Sequence, residues 1–112
     1  MPRSITAAEL KDLRQNNKQT VVIDVLAPES YEARHIPGAI NIPNGPELIH
    51  EVEKQNIDKD TPLVVYCSSA TCGASPAAAA SIEKAGFTNV ADFDDGLAGW
   101  QDAGFGFEGS AA

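Results

Sequence analysis

The sequence predicts a single-domain α/β fold with a mainly parallel β-sheet. Short apolar or β-branched runs alternate along the chain with segments of helical pattern, which is typical of parallel sheets connected by helices. No repeat and no linker of domain-separating length divides the 112 residues, so we expect one domain over residues 1–112. A chain of this size buries roughly 65% of its unfolded surface, which is enough to fold without disulfides or a structural metal.

The first half of the chain begins with a helix start signal. Thr6, followed three residues later by Glu9, has the pattern of a capping box. A continuous β-branched run around Ile23 predicts a buried strand, and Pro28 and Pro46 can each open a helix. The expected elements are a helix over 7–15, a strand over 21–25, a short helix from 28, a short strand over 39–42 and a helix over 46–55.

The second half is centred on the fully apolar run "LVVY", Leu63 to Tyr66, which predicts a buried strand. Pro76 can occupy the first turn of the next helix, which Gly86 would end. The further expected elements are a helix reaching residue 85, a strand over 89–93 and a last helix ended by Gly104. The tail, about 108–112, is expected to be frayed.

The charge balance excludes some classes of partner. Sixteen acidic residues against eight basic ones give a formal charge of −8, which argues against nucleic acid and against an anionic membrane surface. No run approaches the roughly 18 apolar residues of a membrane span, and the N-terminus lacks a signal-peptide core. We therefore expect a cytoplasmic protein, in which thiols stay reduced.

Both cysteines lie in the segment "YCSSATCGASPAAAA", directly after the strand with the strongest claim to be central. Ligand sites of parallel sheets lie beyond the carboxyl ends of the strands, which is where Cys67 is expected. The small residues of this loop allow backbone amides to turn inward, and the next helix adds the positive end of its dipole. Both effects favour a reactive thiolate at Cys67. The alternative interpretation is an inert core cysteine at a strand end.

The segments "VIDVLAPESYEARHIPGAINIP", "VVYC", "KAGFTNV" and "DGLAGW", in this order and spacing, resemble a single-domain rhodanese. The similarity covers about Ile5 to Phe107. It implies a central, mainly parallel five-stranded sheet flanked by helices on both faces. It also implies a sulfurtransferase, in which Cys67 takes a sulfane sulfur from a thiosulfate, persulfide or polysulfide and carries it as a persulfide. A thiol or cyanide then removes the sulfur.

The resemblance also implies the binding groups and partners. No metal and no organic cofactor is required, and the expected partners are a small sulfur donor, a small acceptor or a protein persulfide carrier. A monomer is expected. The persulfide would be held by loop backbone amides, with Ser75 at the helix start; these amides belong to Ser68, Ser69, Ala70, Thr71, Cys72 and Gly73.

The loop departs from the rhodanese pattern C-x-x-G-x-R, because Cys72 occupies the position of the arginine. The variant pattern C-x4-C-x2-S matches Cys67, Cys72 and Ser75. Leu26 likewise stands where the family often has arginine, and Lys84 is expected far down the helix. Without one charge-assisted contact, thiosulfate binding should weaken about tenfold to a hundredfold. We therefore expect weak activity with thiosulfate.

Cys72 leaves two functional interpretations open. It could act as a resolving thiol that closes a disulfide with Cys67 and releases the sulfur as sulfide, or it could merely fill a small-residue position. Bridging requires Cα atoms within about 7 Å. The alternative to an enzyme is a non-catalytic rhodanese-like module that binds a partner or senses oxidants through Cys67 and Cys72. An arsenate reductase or phosphatase is disfavoured, since the loop arginine is missing.

Other conspicuous residues are interpreted as structural. His35 is expected to stabilise a turn and His50 to face solvent, and the cysteine and histidine spacings do not fit a zinc site. Trp100 is expected to pack the last helix onto the core. The three acidic residues near the end of the last strand are interpreted as a solvated edge; they are Asp92, Asp94 and Asp95.

Overall fold

The computed structural model describes residues 2–112 and shows five strands alternating with five helices. The sheet has the order β1-β5-β4-β2-β3, and all its strand pairs are parallel, as the predicted fold requires. The strands are β1 (Arg3–Ser4), β2 (Val21–Asp24), β3 (Ile40–Asn41), β4 (Leu63–Tyr66) and β5 (Val90–Phe93). The helices are α1 (Ala7–Asn16), α2 (Pro28–Ala33), α3 (Leu48–Lys54), α4 (Ala74–Lys84) and α5 (Gly96–Asp102).

The helix boundaries follow local chemistry. The Thr6 side chain accepts a hydrogen bond from the Glu9 amide, and the Glu9 side chain accepts one from the Thr6 amide, which completes the predicted capping box of α1. Pro76 lies in the first turn of α4, where its missing N–H removes no intrahelical hydrogen bond. Gly86 follows α4 with φ +107°, a conformation that residues with a Cβ rarely adopt.

The two faces of the sheet bury separate hydrophobic clusters, because side chains alternate along each strand. Leu63 and Val65 of β4 contribute to one cluster, which α3 and α4 cover; we call this side the α4 face. Val64 and Tyr66 contribute to the other cluster, which α1 and α5 cover; we call this side the α5 face. Helices therefore flank the sheet on both faces.

A buried polar pair lies within the α5-face cluster. The Tyr66 hydroxyl donates to Asp24 Oδ2 at 2.8 Å and accepts a hydrogen bond from the Ile36 amide at 3.1 Å. The Leu26 amide donates to Asp24 Oδ1 at 2.9 Å, so both carboxylate oxygens have a donor. Burial raises the pKa of Asp24, and burial together with the Asp24 charge raises the pKa of Tyr66.

Both ends of the chain differ from what the sequence predicts. Residues Arg3 and Ser4, which carry no strand pattern, pair with β5 as the edge strand β1. The tail expected to be frayed is hydrogen-bonded instead: the Glu108 amide donates to the His35 carbonyl, and the Ser110 and Ala111 amides donate to carbonyls at the end of α2. Backbone hydrogen bonds to a fixed helix end hold the tail, although its composition favours disorder. Within residues 2–112, no helix is long and apolar enough to cross a membrane.

Candidate active site

The loop of residues 67–73 connects β4 to α4 at the carboxyl end of the central strand. Cys67 is the first residue after β4, and its side chain belongs to the α4-face cluster. α4 begins at Ala74, and its N-cap Gly73 offers no side-chain acceptor to the first amides of the helix. The free amides of this helix start therefore lie at the loop that carries the cysteines.

The two cysteines are joined as a disulfide, with their Cα atoms 6.4 Å apart. This separation is within the range that disulfide geometry allows. Cys67 is fully buried, whereas Cys72 is half-buried. In this oxidised form, Cys72 is thus the member of the pair that solvent reaches.

Two hydrogen bonds from α5 hold the first residues of the loop. The Leu97 amide donates to the Cys67 carbonyl and the Ala98 amide donates to the Ser68 carbonyl, each at 3.0 Å. This close approach requires glycine at the start of α5, because a Cβ on Gly96 would collide with the Cys67 carbonyl and φ there is +61°. Glycine after Asp95 therefore lets the end of β4 and the start of α5 meet backbone to backbone.

The same contacts orient two loop amides. In a planar trans peptide the N–H points opposite to the C=O, so the Ser68 and Ser69 amides point away from the α5 residues that bind the Cys67 and Ser68 carbonyls. The residues of α5 pack on the α5 face, whereas the side chain of Cys67 packs on the α4 face. These two amides therefore adjoin Cys67 on the side of the loop that faces away from α5.

The remaining loop residues are mostly exposed. The Cys72 amide donates to the Ser69 carbonyl at 3.0 Å and closes a turn, and the Ser69 and Thr71 hydroxyls lie 3.0 Å apart. Ala70 and Gly73 are exposed. Ser75 instead lies in the first turn of α4, fully buried, and its hydroxyl has no hydrogen-bond partner among residues 2–112. The structure thus brings the loop together and turns Ser75 inward toward the sheet.

A cavity of about 530 Å³ lies beside this loop, on the α4 face and next to the edge strand β1. Its lining includes Ala70 and Cys72 from the loop, Lys84 from α4, and Asp92 and Asp94 from the end of the sheet. The fully buried Cys67 does not line it. Of the two cysteines, the half-buried Cys72 is therefore the one that borders a space large enough for a small molecule.

Asp92 does not belong to a solvated edge, so the prediction from the sequence is wrong for this residue. Asp92 is only 6% exposed, because strand alternation turns it toward α4, whereas Asp95 is exposed. Its Oδ1 has no hydrogen-bond partner among residues 2–112. Burial raises the pKa of Asp92; the nearby Ser75 hydroxyl lowers it, and the charge of Asp94 raises it further. Three aspartates within four residues predicted an acidic segment, but not which of them is buried.

The other singled-out residues lie away from the cysteines. His35 stacks on the Tyr31 ring with centroids 3.9 Å apart, and its Nδ1 lies 2.7 Å from the Tyr31 carbonyl, which agrees with a turn-stabilising role. His50 is exposed on α3. Trp100 packs edge-on against Phe93 in the α5-face cluster, as expected of a core residue.

Three relatives match most of this chain, and the match covers only part of each relative. It is 42% identical over 101 residues to the HTH-type transcriptional regulator Rv0324 of Mycobacterium tuberculosis, covering 90% of this chain and 42% of that protein. It is 32% identical to the probable adenylyltransferase/sulfurtransferase MoeZ of the same species, covering 87% and 24%. It is 32% identical to the putative thiosulfate sulfurtransferase of Synechococcus elongatus, covering 81% and 34%. The chain thus spans less than half the length of each.

Solved structures and the family pattern agree with these relatives. The fold superposes on a thiosulfate sulfurtransferase from Pseudomonas aeruginosa with a TM-score of 0.84 and 29% identity, covering 96% of this chain and 20% of that one. It superposes on the BH2092 protein of Bacillus halodurans with the same TM-score and 28% identity, covering 97% and 78%. The rhodanese-like domain pattern matches residues 6–103. The chain therefore belongs to the rhodanese-like domain family.

Proposed function

We propose that this rhodanese-like domain is a sulfurtransferase that carries a sulfane sulfur on Cys67 as a persulfide. The observation that carries the proposal is the position of Cys67 at the carboxyl end of the central strand, at the start of a loop whose Ser68 and Ser69 amides point away from α5. Fixed amides that need no rearrangement stabilise negative charge on a sulfur atom beside them. The names of two relatives and of one superposed structure add support for this class of reaction.

The first step begins from the reduced protein. The Cys67 thiolate attacks the sulfane sulfur of the donor; the sulfur–sulfur bond of the donor breaks, and the donor thiolate leaves with the bonding electron pair. The product is a Cys67 persulfide, whose terminal sulfur is charged. Because Cys72 lies over a fully buried Cys67 in the oxidised form, access to Cys67 requires the disulfide to open first.

The second step can follow two routes. An external thiolate or cyanide attacks the terminal sulfur, forms a new bond to it and leaves the Cys67 thiolate behind. Alternatively, the Cys72 thiolate attacks the inner sulfur, closes the Cys67–Cys72 disulfide and expels the terminal sulfur as hydrosulfide. A Cα separation of 6.4 Å is compatible with the second route. Two equivalents of thiol then return the disulfide to the reduced state.

The donor that fits best is an uncharged or singly charged persulfide or polysulfide. No lysine or arginine occurs between Cys67 and Glu83, and the charged lining of the cavity beside Cys72 consists of three acidic residues and one lysine, Lys84. Dianionic thiosulfate meets no guanidinium there and is repelled by those carboxylates. We place the domain in the cytoplasm as a monomer that exchanges sulfur with small molecules or with a protein persulfide carrier.

The proposal is tested by mass spectrometry of the reduced protein after exposure to polysulfide and, separately, to thiosulfate. We expect a gain of one sulfur atom with polysulfide and a much smaller yield with thiosulfate. The gain should disappear in Cys67→Ser and persist in Cys72→Ser, since only the first variant removes the carrier. Cys72→Ser is the matched control, because it removes the other thiol of the same loop. A gain that survives in Cys67→Ser would contradict the proposal.

A second candidate function is a redox-sensing module, which the Cys67–Cys72 disulfide favours. The 42% identity to a named transcriptional regulator is compatible with it. In that case no donor would add sulfur, while mild oxidant would close the disulfide readily and dithiol would reopen it. The two candidates therefore differ in one measurement, the mass of the protein after polysulfide treatment.

A further inference from the structure

A second cavity, of about 880 Å³, lies on the α5 face and away from the cysteines. Its wall consists of α1 with the turn that follows it, of Pro37 and Gly38, and of Trp100 with residues 104–107 after α5. The turn after α1 precedes β2, and Pro37 and Gly38 precede β3, so the cavity lies toward the amino ends of the strands. No residue of the cysteine loop, 67–73, lines it. The sulfur-transfer steps therefore make no use of this cavity.

The charged groups of this cavity are all cationic, although the chain as a whole is acidic. Its described lining holds Lys11, Arg14 and Lys18 and no aspartate or glutamate. Acidic residues outnumber basic ones sixteen to eight, so a mixed lining would be the ordinary expectation. Lys54 and Lys59 each form an ion pair with a glutamate, whereas no ion pair joins the three cavity cations to a carboxylate within residues 2–112. The cavity thus concentrates positive charge that the protein does not neutralise.

The Arg14 side chain is half-buried and is held in place at the cavity wall. Its Nη2 donates to the Pro37 carbonyl, and Gly38 leaves the room that the guanidinium occupies, because a Cβ there would collide with Nη2. A guanidinium has several N–H donors, and Arg14 makes no other hydrogen bond within residues 2–112. Its remaining donors can therefore bind a planar oxyanion without a further loss of side-chain freedom.

Aromatic side chains form another part of the wall. Trp100 packs edge-on against the Phe105 ring with centroids 4.7 Å apart, and Lys11 Nζ lies 4.6 Å from the centroid of the Phe105 ring. Arg34 lies over the Phe107 ring at 4.6 Å but does not line the cavity. Phe105 and Phe107 are both half-buried lining residues, so part of each ring reaches the cavity. A molecule with an aromatic ring and an anionic group would therefore meet complementary partners here.

We propose that this cavity binds a small aromatic oxyanion, with its ring against Phe105 and Phe107 and its carboxylate or phosphate group at Arg14. Lys11 and Lys18 add positive charge on the same wall. A volume of about 880 Å³ is within the range of small-molecule sites. The net charge of −8 repels a large acidic partner, whereas a small ion responds mostly to charges within about 8 Å at physiological ionic strength. The proposal does not rest on sulfur transfer.

The test is a titration of nitrogen-labelled protein followed by two-dimensional NMR. The probes are 3-phenylpropionate and phenyl phosphate; 3-phenylpropionamide keeps the ring without the charge, and propionate keeps the charge without the ring. The signals are the amides of residues 104–107 and the indole N–H of Trp100, the one tryptophan of the chain. We expect saturable shifts with an aromatic oxyanion, at an affinity about tenfold above those of the amide and of propionate. Whichever probe binds more tightly identifies the oxyanion.

Two variants with the same change of side chain locate the site. Arg14→Gln should lower the affinity for the tighter probe about tenfold, whereas Arg3→Gln, on the exposed strand β1 and outside the cavity, should retain it. Circular dichroism verifies that both variants fold. Should Arg14→Gln fail to fold, the exposed Lys18→Gln takes its place, with an expected loss of about threefold.

The outcomes separate this proposal from the proposed function. Absence of saturable shifts at residues 104–107 with both aromatic oxyanions, or equally tight binding of the amide or of propionate, would overturn the site. An affinity unchanged in the folded cavity variant would also overturn it. Cys67→Ser should bind the probes as the wild type does, because the cysteine loop does not line the cavity. The titration therefore gives the same answer whether or not polysulfide adds sulfur to Cys67.

Discussion

Two buried aspartates lie on the strands on either side of β4, and they differ in how completely their carboxylate oxygens are hydrogen-bonded. Asp24, at the end of β2, receives hydrogen bonds from the Leu26 amide and the Tyr66 hydroxyl. Asp92, in β5, has an oxygen without a partner among residues 2–112 and lines a cavity. Burial raises the pKa of both, so both cost desolvation energy.

The difference indicates what each carboxylate does. A buried carboxylate whose oxygens are all occupied by donors of its own chain is part of the packing, and removing it leaves those donors unpaired. A buried carboxylate with an oxygen that accepts no hydrogen bond of normal geometry is poorly paired, so its removal leaves few groups of the protein without a partner. Asp24 is therefore expected to contribute more to the stability of the fold than Asp92.

The largest effect is expected for Asp24→Ala. The substitution leaves the Leu26 amide and the Tyr66 hydroxyl without their acceptor inside the protein, which should lower the free energy of unfolding by about 4 kcal/mol. Urea denaturation measures the loss. Asp92→Ala is the matched control and should stay within about 1 kcal/mol of the wild type. Similar losses in the two variants would remove the distinction between the two carboxylates.

A smaller effect is expected for Tyr66→Phe, which deletes only the hydroxyl between Asp24 and Ile36. The variant leaves a carboxylate oxygen and a backbone amide unpaired, so the free energy of unfolding should fall by about 2 kcal/mol. Tyr31→Phe serves as the control, because its half-buried hydroxyl makes one hydrogen bond, to the Ala39 carbonyl. An equal or greater loss in Tyr31→Phe would contradict the special status of the Asp24 network.

A pH-dependent effect is expected for Asp92→Asn. Folding raises the pKa of Asp92, so the folded state binds the proton of this carboxyl more tightly than the unfolded state does. This contribution to stability is complete below the ordinary aspartate pKa near 4, and it is lost as the pH rises through the raised pKa of the folded protein. The variant lacks this loss. Its free energy of unfolding should therefore increase relative to wild type as the pH rises from about 4, and then level off.

Urea titrations at several pH values measure that difference. Asp95→Asn controls for the change in net charge, and it should keep the wild-type slope because Asp92 remains in place. A difference between Asp92→Asn and wild type that is constant with pH would show that Asp92 is not desolvated in the folded protein.

The smallest effect is expected for Ser75→Ala. The Ser75 hydroxyl is fully buried and lies near Asp92, whose pKa it lowers, but it makes no hydrogen bond of normal geometry within residues 2–112. Its removal therefore costs only this weak interaction, and alanine favours the helix slightly. The free energy of unfolding should stay within about 0.5 kcal/mol of the wild type or rise by that amount. A loss above about 1 kcal/mol would reveal a partner for the hydroxyl and would weaken the contrast with Asp24.

Most of the fold could be predicted because its signals are local. Strand β4 has the same bounds as the apolar run "LVVY" that predicts it, and the start of α1 follows from Thr6 and Glu9 alone. The short strand β1 could not be predicted, because Arg3 and Ser4 are both exposed and only their pairing with β5 makes them a strand. Patterns of burial carry no information about two exposed residues.

The candidate site was predictable in its position and not in its details. The place of Cys67 follows from the rule that sites lie at the carboxyl ends of parallel strands. The burial of Asp92 depends on α4 covering β5, and the inward orientation of Ser75 depends on the same packing. Both are tertiary effects between segments distant in sequence, so neither could be inferred from the loop itself.

The attachment of the cysteine loop to α5 has a mechanical consequence. Cys67 and Ser68 are tied to the start of α5 through their carbonyls, whereas Ala70 and Thr71 are exposed. Reduction of the disulfide would therefore release one side of the loop only. Cys72 would then move outward together with its turn, while the hydrogen bonds to α5 keep Cys67 in place against the sheet.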